Sequence, residues 1–146
     1  AVEAGRRVVD AGMKLSLMII LGLAGKGGSD KHAAKTAEAI SLIRPNMLSA
    51  ITLMLYRGSE LLEQYERGEF HPLTPQGIML ELEKIIALTE LPAGSHCLFR
   101  SNHVSNYVGL AGTLPKDKPR LLEEIGQAAE KLAKLKEWDV YNNTRY

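Results

Sequence analysis

The stretch Lys14-Leu-Ser-Leu-Met-Ile-Ile-Leu21 is an almost unbroken apolar run of strand length. Such a run is typical of a parallel strand covered on both faces, so it predicts a buried central strand. The glycine-rich segment Gly22-Leu-Ala-Gly25-Lys-Gly27-Gly28 follows directly. Ser29 or Asp30 is then the expected N-cap of a helix over residues 31–43, where apolar side chains recur with the helical period.

A second apolar run, Met47-Leu-Ser-Ala-Ile-Thr-Leu-Met-Leu55, begins two residues after Pro45, which ends the predicted helix. Residues 14–55 therefore contain a strand, a helix and a second strand. A crossover of this kind is almost always right-handed and joins parallel neighbours. The sequence predicts an α/β fold.

The remaining elements are mostly helical. We expect a third, weaker strand over residues 95–101, a polar loop with glycines after it, and helices over residues 2–11, 60–66, 75–89 and 118–138. The last of these helices is amphipathic, with its apolar side chains on one face, and is expected to lie on the surface. We therefore expect one domain over residues 1–138 and a tail over residues 139–146.

Composition limits the possible partners. The 146 residues are 45% hydrophobic and 24% charged, as in a single globular domain. Eighteen basic and seventeen acidic side chains leave a net charge of +1, so neither nucleic acid nor an anionic membrane is expected as a partner. The longest apolar run, residues 15–24, is shorter than the ~20 residues that span a bilayer, and no signal-peptide pattern precedes it. A cytoplasmic protein is predicted.

The cysteine count limits the chemistry. Cys97 stands alone, which excludes an internal disulfide and a metal site built from several cysteines. The four histidines have no metal-ligand spacing, so no metal site is expected in this chain. The chain begins at Ala1 in a helical pattern and without a methionine, and we interpret it as part of a longer protein.

Two polar or glycine-rich segments are candidates for a site. The glycines at positions 22–28 lie between a strand and a helix, where backbone amides can hold an anion, but a plain turn is an equally good interpretation. The segment Arg100-Ser-Asn-His-Val-Ser-Asn-Tyr107 carries His103 and two asparagines. These could orient a substrate, although a structural role within an irregular loop is favoured. Glu81 and Glu83 are interpreted as solvated positions on a helix.

The sequence also resembles a known family. Glu3-Ala-Gly-Arg-Arg-Val-Val-Asp-Ala-Gly-Met13, the strand ending in Ile-Ile-Leu-Gly-Leu-Ala-Gly25, and Ser29-Asp-Lys-His-Ala-Ala-Lys-Thr-Ala37 resemble the fourth helix, fifth strand and fifth helix of radical S-adenosylmethionine (radical SAM) enzymes. Later, Phe99-Arg-Ser-Asn-His-Val-Ser-Asn-Tyr107 with Gly112-Thr-Leu-Pro-Lys-Asp117 resembles the end of a bacterial subgroup of iron-sulfur oxidoreductases. The resemblance covers most of residues 1–138.

This resemblance implies a fold and a reaction. The chain is expected to be the carboxy-terminal half of a partial (β/α)6 barrel, similar to a TIM barrel, with a helical C-terminal extension. The parent enzyme would bind S-adenosylmethionine and a 4Fe-4S cluster and cleave the former to a 5'-deoxyadenosyl radical. The cluster is held in the family by a three-cysteine loop after the first strand, and those ligands are absent from this chain. Alone, the chain is expected to be inactive.

The resemblance also implies roles for individual residues. Ile20 would touch the adenine, Gly22 would let the chain turn close to the cofactor, and Leu53 and Leu55 would wall the adenine pocket. Met18 stands where some relatives have an acidic residue that bonds to S-adenosylmethionine. The catalytic candidates match the late motif, to which the resemblance assigns no role; they are Arg100, Asn102, His103 and Asn106. Our own hypothesis is that they close the lower edge of the barrel or reach the substrate cavity.

The expected partners are the missing amino-terminal half of the barrel and a small-molecule substrate that the sequence does not identify. Because a half-barrel exposes apolar edges at residues 17–21 and 51–55, self-association of the chain is also expected. The alternative function is a non-enzymatic α/β domain for binding or scaffolding. A Cys-x3-Cys-x2-Cys loop upstream would favour the enzyme, and an intact protein without one would favour the alternative.

Overall fold

Five helices and four strands lie along residues 1–135, the part of the chain that the computed structural model describes. In order they are α1 (Val2–Asp10), β1 (Ser16–Leu21), α2 (Gly25–Ile43), β2 (Met47–Thr52), α3 (Glu60–Glu66), α4 (Pro75–Leu88), β3 (Cys97–Arg100), β4 (Ala111–Leu114) and α5 (Lys118–Leu132). The α/β class is confirmed. The predicted end of the last helix at residues 136–138 and the predicted tail at residues 139–146 lie outside the described residues.

The four strands form one sheet in the order β1-β2-β3-β4. β1 and β2 are parallel, as the crossover pattern predicted. β3 is also parallel to β2, and β4 runs antiparallel to β3. Among residues 1–135, β1 is therefore an edge strand and β2 and β3 are central. The prediction that β1 is a central strand is wrong.

Helices cover one face of this sheet. α4 contacts β1, α5 contacts β4, and α4 also packs against both α2 and α5, so these helices form a single layer. The side chains that point into this layer are buried, among them Leu48, Ala50 and Phe99. The opposite face is more open, and Met18 on β1 is 65% exposed. An apolar run does not distinguish a strand covered on both faces from a strand with one apolar open face. For this reason the sequence wrongly predicted that β1 is covered on both faces.

Helix α2 begins at Gly25, six residues before the predicted start. Two close contacts hold its first turn: the Gly25 N–H donates to the Gly22 carbonyl at 3.0 Å, and the Lys26 N–H donates to the His71 carbonyl at 2.8 Å. A Cβ on Gly25 would lie 2.9 Å from the same His71 oxygen. The helix thus starts in a glycine-rich segment of low propensity because tertiary contacts support it, and neither Ser29 nor Asp30 is its N-cap.

Helix α4 has the predicted start. The Thr74 hydroxyl accepts the Gly77 N–H at 3.1 Å, and Pro75 occupies the first turn, as expected for an N-cap followed by a residue with a preset φ. Strand β2, in contrast, ends at Thr52, and residues 53–55 lie beyond it. Pairing continues for one bond there, from the Leu53 N–H to the Leu21 carbonyl at 2.9 Å.

Strand β4 lies in the segment that was predicted to be a loop. Its sequence, Ala-Gly-Thr-Leu, has only one large apolar residue, so no strand pattern is visible. The strand forms because β3 offers a partner, with Phe99 opposite Gly112 and Cys97 opposite Leu114. A Cβ on Gly112 would lie 3.1 Å from the Leu121 side chain of α5, so the small residue allows α5 to approach the sheet.

Candidate functional site

The carboxyl ends of β1, β2 and β3 lie on one edge of the sheet because the three strands are parallel. Ligands of open α/β sheets and barrels bind at this edge. Three segments meet there: the turn at residues 22–24, residues 53–55, and the loop at residues 101–110, whose Ser105 hydroxyl accepts the Thr52 N–H at 3.2 Å. The edge therefore combines the glycine-rich and polar segments that the sequence singled out.

A buried carboxylate stands behind the first of these segments. Glu81 of α4 is 3% exposed, so its interpretation as a solvated position is wrong. Its Oε1 accepts the Gly22 N–H at 2.8 Å and lies 3.1 Å from His32 Nδ1, and its Oε2 accepts the hydroxyl proton of Ser29 in a short hydrogen bond. One side chain on α4 is thus bonded to the turn after β1 and to the first half of α2.

The helical period could have revealed this glutamate. Glu81 lies three residues after Ile78 and four before Ile85, both buried, and residues at these spacings share one face of a helix. The exposed positions of α4, such as Leu80, fall on other faces. A charged residue at a position on the apolar face of α4 was the signal that could have indicated a buried carboxylate.

The open face of the sheet carries a lateral row of three different side chains. Met18, Ser49 and Arg100 stand in register on β1, β2 and β3. Ile20 and Ile51 form the next row towards the carboxyl edge. The first row offers an apolar surface, a hydroxyl and a cation in sequence.

The four residues expected to line a cofactor are not equivalent. Ile20 and Leu53 are partly exposed, and Ile20 lies on the open face. Leu55 is only 4% exposed and, together with Gly22 and Ile78, lines a cavity of about 10 Å³, room for one water at most. Only Ile20 and Leu53 therefore present surface to a ligand in this chain.

Gly22 is required by its backbone and by α4. Its φ of +80° is a conformation that residues with a Cβ rarely adopt. A Cβ there would lie 2.7 Å from Ile78 Cδ1. The absent side chain thus leaves room for the core helix.

In the loop at residues 101–110, Asn106 bonds to two groups of β2 and to the loop's own first residue. Its Nδ2 donates to the carbonyls of Ala50 and Ser101 at 2.8 and 2.9 Å, and its Oδ1 accepts the Thr52 hydroxyl at 2.9 Å. With the Ser105 bond to Thr52, these contacts satisfy β2 where β3 has ended. The edge at residues 51–55, which was predicted to be exposed, is therefore covered by the loop on the β3 side of β2.

Other residues of the late motif are exposed. Asn102 and His103 lie at the loop surface, and Arg100 lies on the open face with one guanidinium N–H donating to the Phe99 carbonyl at 2.9 Å. The four catalytic candidates are thus separated: Asn106 points into the sheet, and Arg100, Asn102 and His103 remain accessible.

The bonding of His103 determines its tautomer. The Ser105 N–H donates to His103 Nδ1 at 3.1 Å, and the Ser105 hydroxyl lies 2.8 Å from the same nitrogen. Because Nδ1 accepts the Ser105 N–H, Nε2 is the ring nitrogen that carries a proton in this arrangement. His103 can therefore donate from Nε2 to an external group.

The described residues do not fit an iron-sulfur cluster. Within residues 1–135 there is no group of three or more histidine, cysteine, aspartate or glutamate side chains that could hold a metal ion. Cys97 is 1% exposed on the helix-covered face, and burial raises the pKa of its thiol to about 11. The thiolate that metals require is therefore disfavoured at neutral pH.

Two larger clefts lie away from the carboxyl edge of β1. One of about 380 Å³ lies between residues 108–110 and α5. The other, of about 520 Å³, lies beside residues 93–96 and 113–117 at the opposite end of β3. Neither cleft is lined by Glu81 or by its hydrogen-bond partners Gly22, Ser29 and His32. In the part of the chain described by the structure, no helix has the length and apolar character needed to cross a membrane.

Comparison with known proteins gives a likeness in fold. No protein-family profile matches the chain, and no curated protein matches it. The solved structure of an N-terminally truncated archaeal Elp3 from Methanocaldococcus infernus is similar, with a TM-score of 0.55 and 20% sequence identity. The match covers 89% of this chain and 30% of the Elp3 chain. The described residues therefore share a fold with a region of Elp3.

Proposed function

We propose that this chain is the carboxy-terminal half of a radical SAM barrel and forms one wall of the S-adenosylmethionine site in a complete oxidoreductase. The observation that carries the proposal is the two-sided character of the sheet. Helices cover one face, while the other is open: Met18 in the middle of β1 is 65% exposed, and Ile20 and Ile51 form an apolar row nearer the carboxyl edge. A barrel wall has this construction because its inner face is completed by strands elsewhere in the barrel.

The likeness to Elp3 supports this proposal at the level of fold. Elp3 is a radical SAM and acetyltransferase family member, and this chain spans 30% of the Elp3 chain. A single wall of a larger enzyme is compatible with that proportion.

The chain's own residues would bind and orient the cofactor. Ile20 and Leu53 offer apolar surface at the carboxyl edge, suited to the face of an adenine ring. Arg100, on the same open face, offers a cation for a carboxylate of the cofactor or substrate. When bound, S-adenosylmethionine and its cluster supply radical chemistry, and the protein supplies orientation. The cluster ligands would come from outside residues 1–135.

The proposal is tested in the full-length protein. After anaerobic reconstitution, iron and acid-labile sulfide are measured, and 5'-deoxyadenosine is quantified with S-adenosylmethionine and a reductant. Bound cluster and reductant-dependent 5'-deoxyadenosine are expected. A full-length protein that contains no three-cysteine loop, or that holds a cluster and forms no 5'-deoxyadenosine, contradicts the proposal and favours a non-enzymatic binding or scaffold domain.

A pair of variants tests the wall itself. Ile20→Asn places a polar group on the open face and should raise the KM for S-adenosylmethionine about tenfold, as expected for loss of roughly 1.4 kcal/mol of apolar contact. Leu42→Asn makes the same change at an exposed position on α2 and should leave KM unchanged. Equal effects of the two substitutions would remove Ile20 from the site.

A further inference from the structure

We infer that Glu81 is a positioning residue: its buried carboxylate fixes the turn after β1 in the single conformation that the carboxyl edge needs to bind its ligand. The fixing of the turn follows from contacts within this chain. Its consequence for S-adenosylmethionine rests on the proposed function.

Within residues 1–135, the hydrogen bonds of the Glu81 side chain all go to one segment of the chain. Gly22, Ser29 and His32 lie within eleven residues of one another, and each places a polar group against the same carboxylate. The carboxylate belongs to α4, more than 45 residues further along the chain. It therefore bridges two elements through one point.

Burial makes this bridge specific. The Glu81 side chain is 0% exposed, and a carboxylate in such a place is tolerated only when donors surround it. A methionine or leucine would cover the same core without desolvating a charge. What it would not do is accept the buried Gly22 N–H, which would then lose its partner. The carboxylate is thus suited to the turn rather than to the core.

A nearby surface pair shows the contrast. Lys84 Nζ lies 2.7 Å from Asp30 Oδ1 and joins the same two helices, but the Asp30 side chain is 92% exposed. Exposed pairs of this kind are screened by salt and contribute little. The buried carboxylate of Glu81 is not screened by salt in this way, so it is the stronger of the two polar links.

The turn requires such a link. Gly22 can adopt several backbone conformations, and Leu23 and Ala24 after it are exposed. The carboxylate bond at its N–H, together with the bond from Gly25 N–H to its carbonyl, fixes both sides of this glycine. A flexible glycine turn is thereby converted into a defined edge next to Ile20.

Hydrogen-deuterium exchange in the full-length protein tests the fixing of the turn. Overlapping peptides that isolate the Gly22 amide are compared for wild type, Glu81→Met and Glu81→Gln, with Glu83→Gln as the control on the same helix. Methionine fills the volume without an amide acceptor, whereas glutamine keeps one carbonyl oxygen. Exchange at Gly22 should rise about ten- to a hundredfold in the methionine variant and about threefold or less in the glutamine variant.

Two results would overturn the inference. Gly22 protection that survives in a folded Glu81→Met variant would show that the carboxylate only fills space. Equal deprotection in the methionine and glutamine variants, with the fold retained, would show that acceptance of the Gly22 N–H is not the cause. If the methionine variant does not fold, the glutamine variant and Glu81→Asp, which is too short to keep the Gly22 bond, provide the same comparison.

Binding of S-adenosylmethionine separates this inference from the proposed function. Glu81→Met should weaken binding by about tenfold or more in calorimetry, and Glu81→Gln should restore most of the affinity. If the wild-type protein binds no S-adenosylmethionine while the Glu81→Met variant loses protection at Gly22, the proposed function is contradicted and the inference about the turn stands. Binding in wild type that is unchanged in Glu81→Met contradicts the inference alone.

Discussion

Glu81 Oε1 lies 2.8 Å from the backbone nitrogen of Gly22, although 59 residues separate the two along the chain. One turn earlier on α4, the Cδ1 of Ile78 lies 2.7 Å from the point where a Gly22 Cβ would be. The same helix therefore constrains the turn after β1 by a hydrogen bond and by a packed side chain. The conformation of the chain at the carboxyl end of β1 is therefore set by buried side chains of α4.

Gly22→Ala should destabilise the protein by about 2 kcal/mol or more, because the new methyl group meets Ile78 and the φ of +80° is unfavourable for alanine. Chemical denaturation measures this change. Gly27→Ala is the matched control: no atom lies within 4 Å of its Cβ position, and Gly27 lies within α2, so it should stabilise by about 0.5–1 kcal/mol.

A double variant separates the two causes. Gly22→Ala combined with Ile78→Val should be less destabilised than the sum of the two single variants, since valine lacks the Cδ1 methyl group that obstructs the new Cβ. Strict additivity would assign the whole cost to the backbone conformation.

Asn106→Ala should lower the free energy of unfolding by about 2–4 kcal/mol, because it leaves the Ala50 carbonyl and the Thr52 hydroxyl without their side-chain partner. Asn102→Ala, at an exposed position of the same loop, should stay within about 0.5 kcal/mol of wild type. Thermal or chemical unfolding compares the two. A negligible effect of Asn106→Ala would show that the loop does not hold β2.

Local patterns predicted much of the fold. The parallel pairing of β1 with β2 follows from the crossover, and the start of α4 follows from Thr74 and Pro75. The early start of α2 does not, because it depends on His71 and Phe70 contacting Gly25 from a distant segment. Strand β4 likewise exists through its pairing with β3. These features depend on tertiary contacts that short-range patterns do not encode.

The candidate site was predictable only in part, because it too depends on contacts between segments that are distant in the sequence. The glycine turn and the polar loop were visible as unusual composition, and both lie at the carboxyl edge. Glu81 was missed because a glutamate on a helix is usually solvated, and its donors at positions 22, 29 and 32 lie on other elements. The roles of Asn102 and His103 towards a substrate stay predictions.

Asp117 should make stability depend on pH in the acid range. Its carboxylate accepts the Thr113 N–H at 2.8 Å, and this bond, with the nearby Arg120 and Lys116, lowers the pKa of Asp117 below its ordinary value. A group whose pKa is lowered by folding stabilises the protein above its unfolded pKa of about 3.9, and this contribution is lost as the pH falls through the lower folded pKa.

Asp117→Asn should therefore be less stable than wild type at pH 7, and the difference should shrink below about pH 4. Urea denaturation across this range is the measurement. Asp10→Asn removes an equal charge from an exposed position near the end of α1 and should not reproduce the loss. A difference that is constant between pH 7 and pH 3 would assign the role of Asp117 to an uncharged hydrogen bond.

The open face should make the isolated chain self-associate. Met18 and Met47 are 65% and 44% exposed on that face, and β1 is an edge strand within residues 1–135. A charge introduced there must be desolvated on association, so the double variant Met18→Glu/Met47→Glu should weaken association by at least about tenfold. Sedimentation velocity over a concentration series measures it. Leu80→Glu, at an exposed position on α4, is the control for the helical face. If Leu80→Glu weakens association and the double variant does not, the helices rather than the open face form the contact. A wild-type chain that is monomeric at every concentration contradicts the prediction.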